Sequence, residues 1–206
     1  MLLFFRTKRK RFVSRLLKAF PSEYSADVEA VCDTLKIKSE AYDGSLYSEA
    51  STKWRLPTGE TVDIPYRIYV REEEDQGNKL TPRQRAVYRC IFSRSYDGYV
   101  RQKHIEALLD SELFDGALPY VVKVCDEYVT EILESVYQRL SDRGCEEYKE
   151  LCELNFDYIK LAHARMISYW NENCRYDCYK YKDYVGKKLY RDCFGYGKTG
   201  QKRIER

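Results

Sequence analysis

From Thr81 to about Phe194, apolar residues recur every three or four positions, and only short breaks interrupt this period. That spacing places apolar side chains on one face of a helix, whereas a half-buried strand would require strict alternation. Most of the breaks contain glycine, which ends helices readily. The pattern predicts helices after Pro82 and over about 99–109, 118–140, 156–170 and 179–194, with a bend near Asp126 in the third.

The first 80 residues combine two shorter helices with one change of period. Basic and apolar residues alternate at helical spacing from Lys8 to Phe20, which predicts a cationic amphipathic helix stopped by Pro21. A second helix is predicted over 26–35, with Ser25 as its N-cap. Strict alternation then appears on both sides of a Pro-Thr-Gly turn near residues 53–70, which predicts two or three antiparallel strands.

These elements predict a mainly α fold, either a helical bundle or HEAT-like helical pairs, with one small antiparallel β-hairpin near residues 53–70. Segments 82–109 and 117–140 resemble each other loosely, as stacked helical repeats would. The expected organisation is 1–51 for the N-terminal helices, 52–79 for the hairpin and an acidic linker, and 80–206 for a helical domain. We expect these parts to pack as one globular unit.

Composition restricts the class of protein further. Charged residues make up 33% of the 206 positions and hydrophobic residues 44%, which excludes a disordered chain. No apolar stretch approaches 18 residues, so no membrane span is expected. The basic run follows the apolar start of the chain, which is the reverse of a secretory signal. We therefore expect a cytoplasmic protein whose eight cysteines are mostly reduced.

Charge is distributed unevenly along the chain. Residues 1–20 contain seven basic side chains and no acidic one, and residues 158–206 contain 12 basic and 5 acidic side chains. Residues 105–157 contain 14 acidic and 4 basic side chains, a net charge of −10. Such a segment projects a negative potential that favours a basic partner. The basic ends could equally neutralise the acidic segment of their own chain.

Candidate catalytic and metal-binding groups are few. The glycine-containing run 195–200 lacks the spacing and the preceding strand of a phosphate-binding loop. Cys174 and Cys178 lack a clear second pair of zinc ligands, so buried thiols are favoured over a metal site. Cys90 and His104 could in principle form a nucleophile and a base, but no oxyanion site accompanies them. The sequence predicts a protein without enzymatic activity, cofactor or metal.

Two segments are similar to those of a known class of protein. The run from Asp97 to Ile105, and the runs 118–122 and 127–133, resemble segments of small helical-repeat (HEAT-like) immunity proteins of bacterial toxin systems. The resemblance covers roughly residues 82–140 and consists of packing patterns. It implies a bacterial protein without catalytic function that binds and blocks one toxin.

Two functional hypotheses follow. The first is a protein-binding protein, an immunity protein in the form that the resemblance implies, which neutralises a cationic toxin through an acidic helical surface. The residues predicted for that surface are Glu127, Glu131, Glu134, Glu146, Glu147 and Glu150. The alternative is a nucleic-acid-binding regulator that uses the basic N-terminal helix and the Tyr/Lys-rich C-terminal segment. The residues predicted for that role are Lys8, Arg9, Lys10, Arg11, Arg175, Tyr179, Lys180, Lys182, Lys187 and Lys188.

Overall fold

The computed structural model describes residues 2–73, 79–112, 114–127 and 129–197, with side chains from Thr7 onward. The described residues form nine α-helices and one two-stranded antiparallel sheet, which confirms the mainly α class with a small hairpin. The helices are α1 (Leu2–Leu17), α2 (Ser25–Thr34), α3 (Pro82–Phe92), α4 (Gly98–Leu109), α5 (Leu118–Val124), α6 (Thr130–Arg143), α7 (Glu146–Leu154), α8 (Phe156–Tyr169) and α9 (Val185–Asp192). The chain divides into two compact units, Met1–Val124 and Cys125–Arg206.

In the first unit, α2 packs against both α1 and α3, and α3 packs against α4. The helical period explains this packing, because the apolar residues at three- and four-residue spacing are the ones that are buried. Val28 and Val31 on α2, and Val87 and Ile91 on α3, are fully or almost fully buried. Helix α1 ends at Leu17, before the predicted stop at Pro21.

Local capping signals fix the starts of α3 and α4. The hydroxyl of Thr81 accepts a hydrogen bond from the backbone N–H of Gln84, and the Gln84 side chain accepts one from the N–H of Thr81, both at 3.2 Å. A carboxylate oxygen of Asp97 accepts the N–H of Tyr99 at 2.9 Å. The predicted N-cap at Ser25 is wrong, because this residue is already the first of α2 and its hydroxyl donates to the Ser22 carbonyl at 2.7 Å.

The hairpin consists of β1 (Ser51–Arg55) and β2 (Thr61–Pro65). Trp54 pairs with Val62 and Thr52 pairs with Ile64, and the three apolar side chains are buried. Residues 66–70 do not extend the ladder, because Ile68 and Val70 form only isolated bridges. Pro65 ends β2 since it has no N–H to donate.

In the second unit, α6 packs against α9 and α7 packs against α8. Two helices differ from the sequence prediction. The predicted helix over 118–140 is divided into α5, which ends at Val124, and α6, which begins at Thr130. The predicted helix over 179–194 is shortened to α9, which a single 3₁₀ turn at Tyr181–Asp183 precedes.

The boundary between the units falls inside the predicted helical domain 80–206. Helix α5 belongs to the first unit and α6 to the second, so the segment 117–140 is not a helical pair within one unit. Segment 82–109, by contrast, forms the packed pair α3 and α4. The HEAT-like arrangement therefore stays a prediction.

The cysteines contribute mainly to the two cores. All eight thiols are free, six are buried, and Cys145 and Cys178 are half-buried. In the described part of the chain, no three cysteine, histidine or acidic side chains are grouped as metal ligands would be. None of the described helices has both the length and the apolarity needed to cross a bilayer.

Candidate protein-binding surface

Helix α7 concentrates the predicted acidic residues on one exposed face. Tyr148, Leu151 and Cys152 are buried and form the inward face of α7. The intervening positions leave four exposed glutamates on the other side, Glu146, Glu147, Glu150 and Glu153. The face is acidic because the helical period assigns every apolar residue before Leu154 to the core.

The charges of this face are only partly compensated. Lys149 is half-buried, and its Nζ lies 2.5 Å from Oε1 of Glu146. Within the described residues, no ion pair involves Glu147, Glu150 or Glu153. Exposed pairs such as that of Lys149 contribute little to stability. Helix α7 therefore presents carboxylates that its own fold does not require.

Helix α6 carries the other exposed acidic pair. Glu131 and Glu134 are exposed, while Ile132, Leu133 and Val136 are buried. The structure thus places the predicted residues in two groups, one on α6 and one on α7.

The prediction that Glu127 belongs to the exposed acidic surface is wrong. A continuous helix over 118–140 would place it one turn before Glu131 on the same face. Helix α5 ends at Val124 and α6 begins only at Thr130, which removes this register, and Glu127 is only 4% exposed. It cannot contribute to an exposed acidic surface.

Residues 130–157 as a whole are strongly acidic at the surface. They contain eight acidic and three basic side chains, and all eight acidic ones are exposed. The net charge of −5 over this stretch produces a negative potential that extends about 8–10 Å into solution at physiological ionic strength.

Three basic residues of α1 have partners within the first unit. Arg9 lies 2.8 Å from Asp33 of α2, Arg15 lies 2.7 Å from Asp63 of β2, and Nζ of Lys8 donates to the Gly44 carbonyl at 3.1 Å. Both carboxylates lie outside the acidic segment 105–157. Of the residues predicted to bind nucleic acid here, Arg9, Lys10 and Arg11 are exposed and Lys8 is half-buried.

A groove of about 450 Å³ lies between α1 and α2. Arg9, Lys10, Glu29 and Asp33 line it, together with Val13 and Leu17. Because its walls carry both signs of charge, the groove favours neither an anionic nor a cationic ligand.

The C-terminal basic residues are divided between the segment before α9 and α9 itself. Arg175, Tyr179, Lys180 and Lys182 are exposed, whereas Lys187 and Lys188 on α9 are half-buried. Nζ of Lys187 lies 5.0 Å from the centre of the Tyr181 ring, in a cation–π arrangement. Residues 171–184 contain three basic and three acidic side chains, so this segment carries no net charge.

Cys90 and His104, which could in principle form a nucleophile and a base, each have a different local environment. Nε2 of His104 lies 2.8 Å from Oε1 of Glu72. Complete burial raises the pKa of the Cys90 thiol well above its ordinary value, which keeps the sulfur protonated and a poor nucleophile.

Sequence reasoning missed the role of Glu72. The sequence predicts a solvated linker over 72–79, of which residues 74–78 lie outside the described part of the chain. Burial acts to raise the pKa of Glu72, but hydrogen bonds and positive charge from His104 and Lys103 lower it to about 2. One sequence signal indicated that Glu72 is partly buried. The alternation of Ile68 and Val70 continues to position 72, which places the Glu72 side chain on the same inward face.

The second histidine belongs to an aromatic cluster of the second unit. The His163 ring lies 5.3 Å from that of Tyr190 and 4.8 Å from that of Tyr196, and its Nε2 is 3.4 Å from the Tyr181 hydroxyl. Burial lowers the pKa of His163, which favours the neutral ring and a packing role.

No protein-family model, curated protein or solved structure is significantly similar to this chain.

Proposed function

We propose that this protein acts without catalysis, by binding a positively charged protein through its acidic helical surface. The observation that carries the proposal is that all eight acidic side chains of residues 130–157 are exposed, against three basic ones in the same stretch. Four of these eight acidic side chains are the α7 glutamates. Charge complementarity of this kind accelerates encounter and selects against acidic partners.

Neutralisation of a cationic bacterial toxin in the cytoplasm is the specific form of this function that the resemblance over 82–140 implies. Toxins that cleave nucleic acids are commonly cationic, since their substrates are anionic. An acidic binding protein could cover the same surface that contacts the substrate.

The decisive experiment reverses charge on α7. The full-length variant Glu147→Lys/Glu150→Lys/Glu153→Lys is compared with the wild type in affinity purification from the native cell, followed by calorimetric measurement of Kd for the purified partner. We expect a basic partner whose affinity falls at least about tenfold in the variant.

The matched control reverses three exposed glutamates of the first unit, Glu40→Lys/Glu49→Lys/Glu112→Lys. This variant has the same change in net charge and should retain the partner. Equal affinity of the α7 variant and the wild type would overturn the proposal.

A second candidate function is binding of single-stranded nucleic acid. The observation that favours it is the nearly complete exposure of Tyr176 and the high exposure of Tyr179, next to Arg175, Lys180 and Lys182. Exposed aromatic rings between cations can stack on bases while the cations contact phosphates.

A mobility-shift titration with a single-stranded oligonucleotide tests this second candidate. Binding should weaken steeply between about 50 and 200 mM salt. It should also weaken in Tyr176→Ser/Tyr179→Ser but not in Tyr42→Ser/Tyr99→Ser, which removes two exposed tyrosines of the first unit. Absence of a shift at low salt would exclude it.

A further inference from the structure

Two cysteines of the second unit lie next to each other although they are far apart in the chain. Cys145 lies in the short connection between α6 and α7, and Cys193 directly follows α9. This connection and the end of α9 come together because α6 packs against α9. The thiols of the two residues are joined by a hydrogen bond. Both thiols are free, and neither has a role in the proposed function.

Two further contacts place the residues that follow α9 beside the start of α7. The ring centroids of Phe194 and Tyr148 lie 6.5 Å apart. A Cβ at Gly195 would lie only 3.3 Å from Cγ of Lys149. The two chain segments that carry the thiols are therefore in direct contact, which a disulfide bond between them requires.

The two thiols differ in their access to solvent. Cys145 is half-buried, and its Sγ donates to the Leu140 carbonyl at 3.3 Å. Cys193 is only 1% exposed. Burial raises the pKa of the Cys193 thiol, and the hydrogen bond to Cys145 raises it further, which identifies Cys193 as the donor. A dissolved oxidant therefore reaches Cys145 first, while Cys193 remains a protonated neighbour.

We propose that Cys145 and Cys193 form a reversible disulfide bond when the protein encounters a peroxide. In the first step, the Cys145 sulfur takes one oxygen atom from hydrogen peroxide, which forms a sulfenic acid and releases one water. In the second step, the Cys193 sulfur attacks the Cys145 sulfur. The S–S bond forms, the S–O bond breaks, and the Cys193 proton leaves with the hydroxide as a second water.

The electrons balance without a cofactor. The two thiols lose two electrons and two protons, and one peroxide is reduced to two waters. A dithiol restores both thiols by exchange through a mixed disulfide. Reversible disulfides of this kind are typical of proteins that sense oxidants in reducing compartments. The inference is independent of the proposed function.

The other half-buried cysteine provides a matched comparison. In the described part of the chain, the Cys178 thiol makes one hydrogen bond, to the Lys180 carbonyl at 3.6 Å. Its access to solvent is of the same class as that of Cys145, but no thiol is its hydrogen-bond partner there. Exposure to an oxidant is therefore similar at the two positions, whereas only Cys145 has an adjacent thiol to complete the reaction.

The test uses the reduced full-length protein. It is treated with an equimolar amount of hydrogen peroxide, and the remaining thiols are then blocked with N-ethylmaleimide. Trypsin separates the two cysteines into the peptides 144–149 and 192–198, each of which contains one cysteine. Mass spectrometry should find these peptides joined by a disulfide in most molecules, and dithiothreitol should separate them.

Three variants assign the role of each thiol. Cys145→Ser should form no cross-link to position 193. Cys193→Ala should accumulate the sulfenic acid at Cys145, which dimedone traps. Cys178→Ser is the matched control and should form the cross-link as the wild type does. Circular dichroism confirms that each variant is folded, and the wild-type result stands without them.

Four results would overturn the inference. Recovery of both peptides in the alkylated form after oxidation would show that no cross-link forms. A disulfide to a different cysteine, or a dimer on a non-reducing gel, would assign the reaction to another pair. Cross-linking only in denaturant would mean that the two thiols do not meet in the folded protein. A sulfenic acid that persists in the wild type would show that Cys193 does not react with it.

Discussion

At the scale of single residues, two carboxylates that are largely shielded from water are paired with basic side chains. Glu72 is one example, because its carboxylate is 14% exposed and Oε1 lies 2.9 Å from Nζ of Lys103 as well as 2.8 Å from His104. Asp126 is the other, because its carboxylate is buried between Arg165 and the Tyr158 hydroxyl, which donates at 3.1 Å. Neither could be distinguished from a solvated acid by sequence, since burial depends on distant elements.

Glu72→Gln should lower the free energy of unfolding at pH 7 by at most about 3 kcal/mol. The folded-state pKa of Glu72 is about 2 and the ordinary value is 4.5. The stabilisation is therefore fully present above about pH 4.5 and is lost as pH falls towards 2. Urea unfolding of both proteins at pH 7 and at pH 3 measures this difference.

The pH series contains its own internal check. The difference in unfolding free energy between the wild type and Glu72→Gln should decrease as the solution becomes more acidic. A difference that does not depend on pH would assign the effect to packing. Glu73→Gln is the control, because Glu73 pairs with a largely exposed Lys36 and should contribute less than about 1 kcal/mol.

Arg165→Met should destabilise the protein by about 2–4 kcal/mol, since it leaves the buried carboxylate of Asp126 without its cation. Arg191→Met removes an exposed pair with Asp192 and should cost less than about 1 kcal/mol. Denaturant titration compares the two. Equal effects would mean that the Asp126 pair is solvated in solution.

At the scale of elements, the sequence predicts best where capping and periodicity agree. Helix α3 begins at Pro82 and α4 at Gly98, close to the predicted starts, and Thr81 and Asp97 cap them. The division between α5 and α6 was expected only as a bend, because the apolar period continues through residues 118–140. The burial of Asp126 and Glu127, rather than any local signal, accompanies this break.

Gly186 in α9 shows how packing overrides helix propensity. A Cβ at this position would lie 2.6 Å from Cε1 of Tyr184 and 3.0 Å from Cγ of Met166. Gly186→Ala should therefore destabilise by about 1–3 kcal/mol, despite a propensity gain of up to about 1 kcal/mol. Thermal unfolding measures the change.

Gly98→Ala is the matched substitution. The nearest neighbour of the added Cβ would be the Arg101 guanidinium at 3.6 Å, which is an ordinary van der Waals contact. This variant should be neutral or slightly stabilising because only the backbone entropy changes. Destabilisation of both variants to the same extent would contradict the packing explanation.

At the scale of the whole molecule, the net charge of +3 is the sum of basic and acidic segments whose charges are paired to different extents. The basic residues of α1 are partly used in ion pairs within the first unit, whereas the acidic residues of α7 remain at the surface. A charged surface that folding does not require is expected to reduce stability slightly in exchange for binding.

Glu150→Lys/Glu153→Lys should consequently stabilise the protein by about 0.5–1 kcal/mol at low salt, since it relieves repulsion and places cations near the end of α7. Raising the salt concentration should reduce the gain.

Glu131→Lys places a cation in the first turn of α6, where the helix dipole favours a negative charge, and should destabilise the protein by about 0.3–1 kcal/mol. A loss of stability in the α7 variant would mean that these glutamates serve the fold.

The sequence by itself determined most of the helices, the hairpin and the segregation of charge, because periodicity, capping residues and composition are local properties. The tertiary structure decided which charges remain at the surface. Asp126 and Glu127 are buried and Glu72 is half-buried, while Glu147 and Glu150 are exposed, although all five are acidic residues in acidic stretches. The physical reason is that desolvation and ion pairing depend on groups far away in the chain, such as Arg165, which no local pattern identifies.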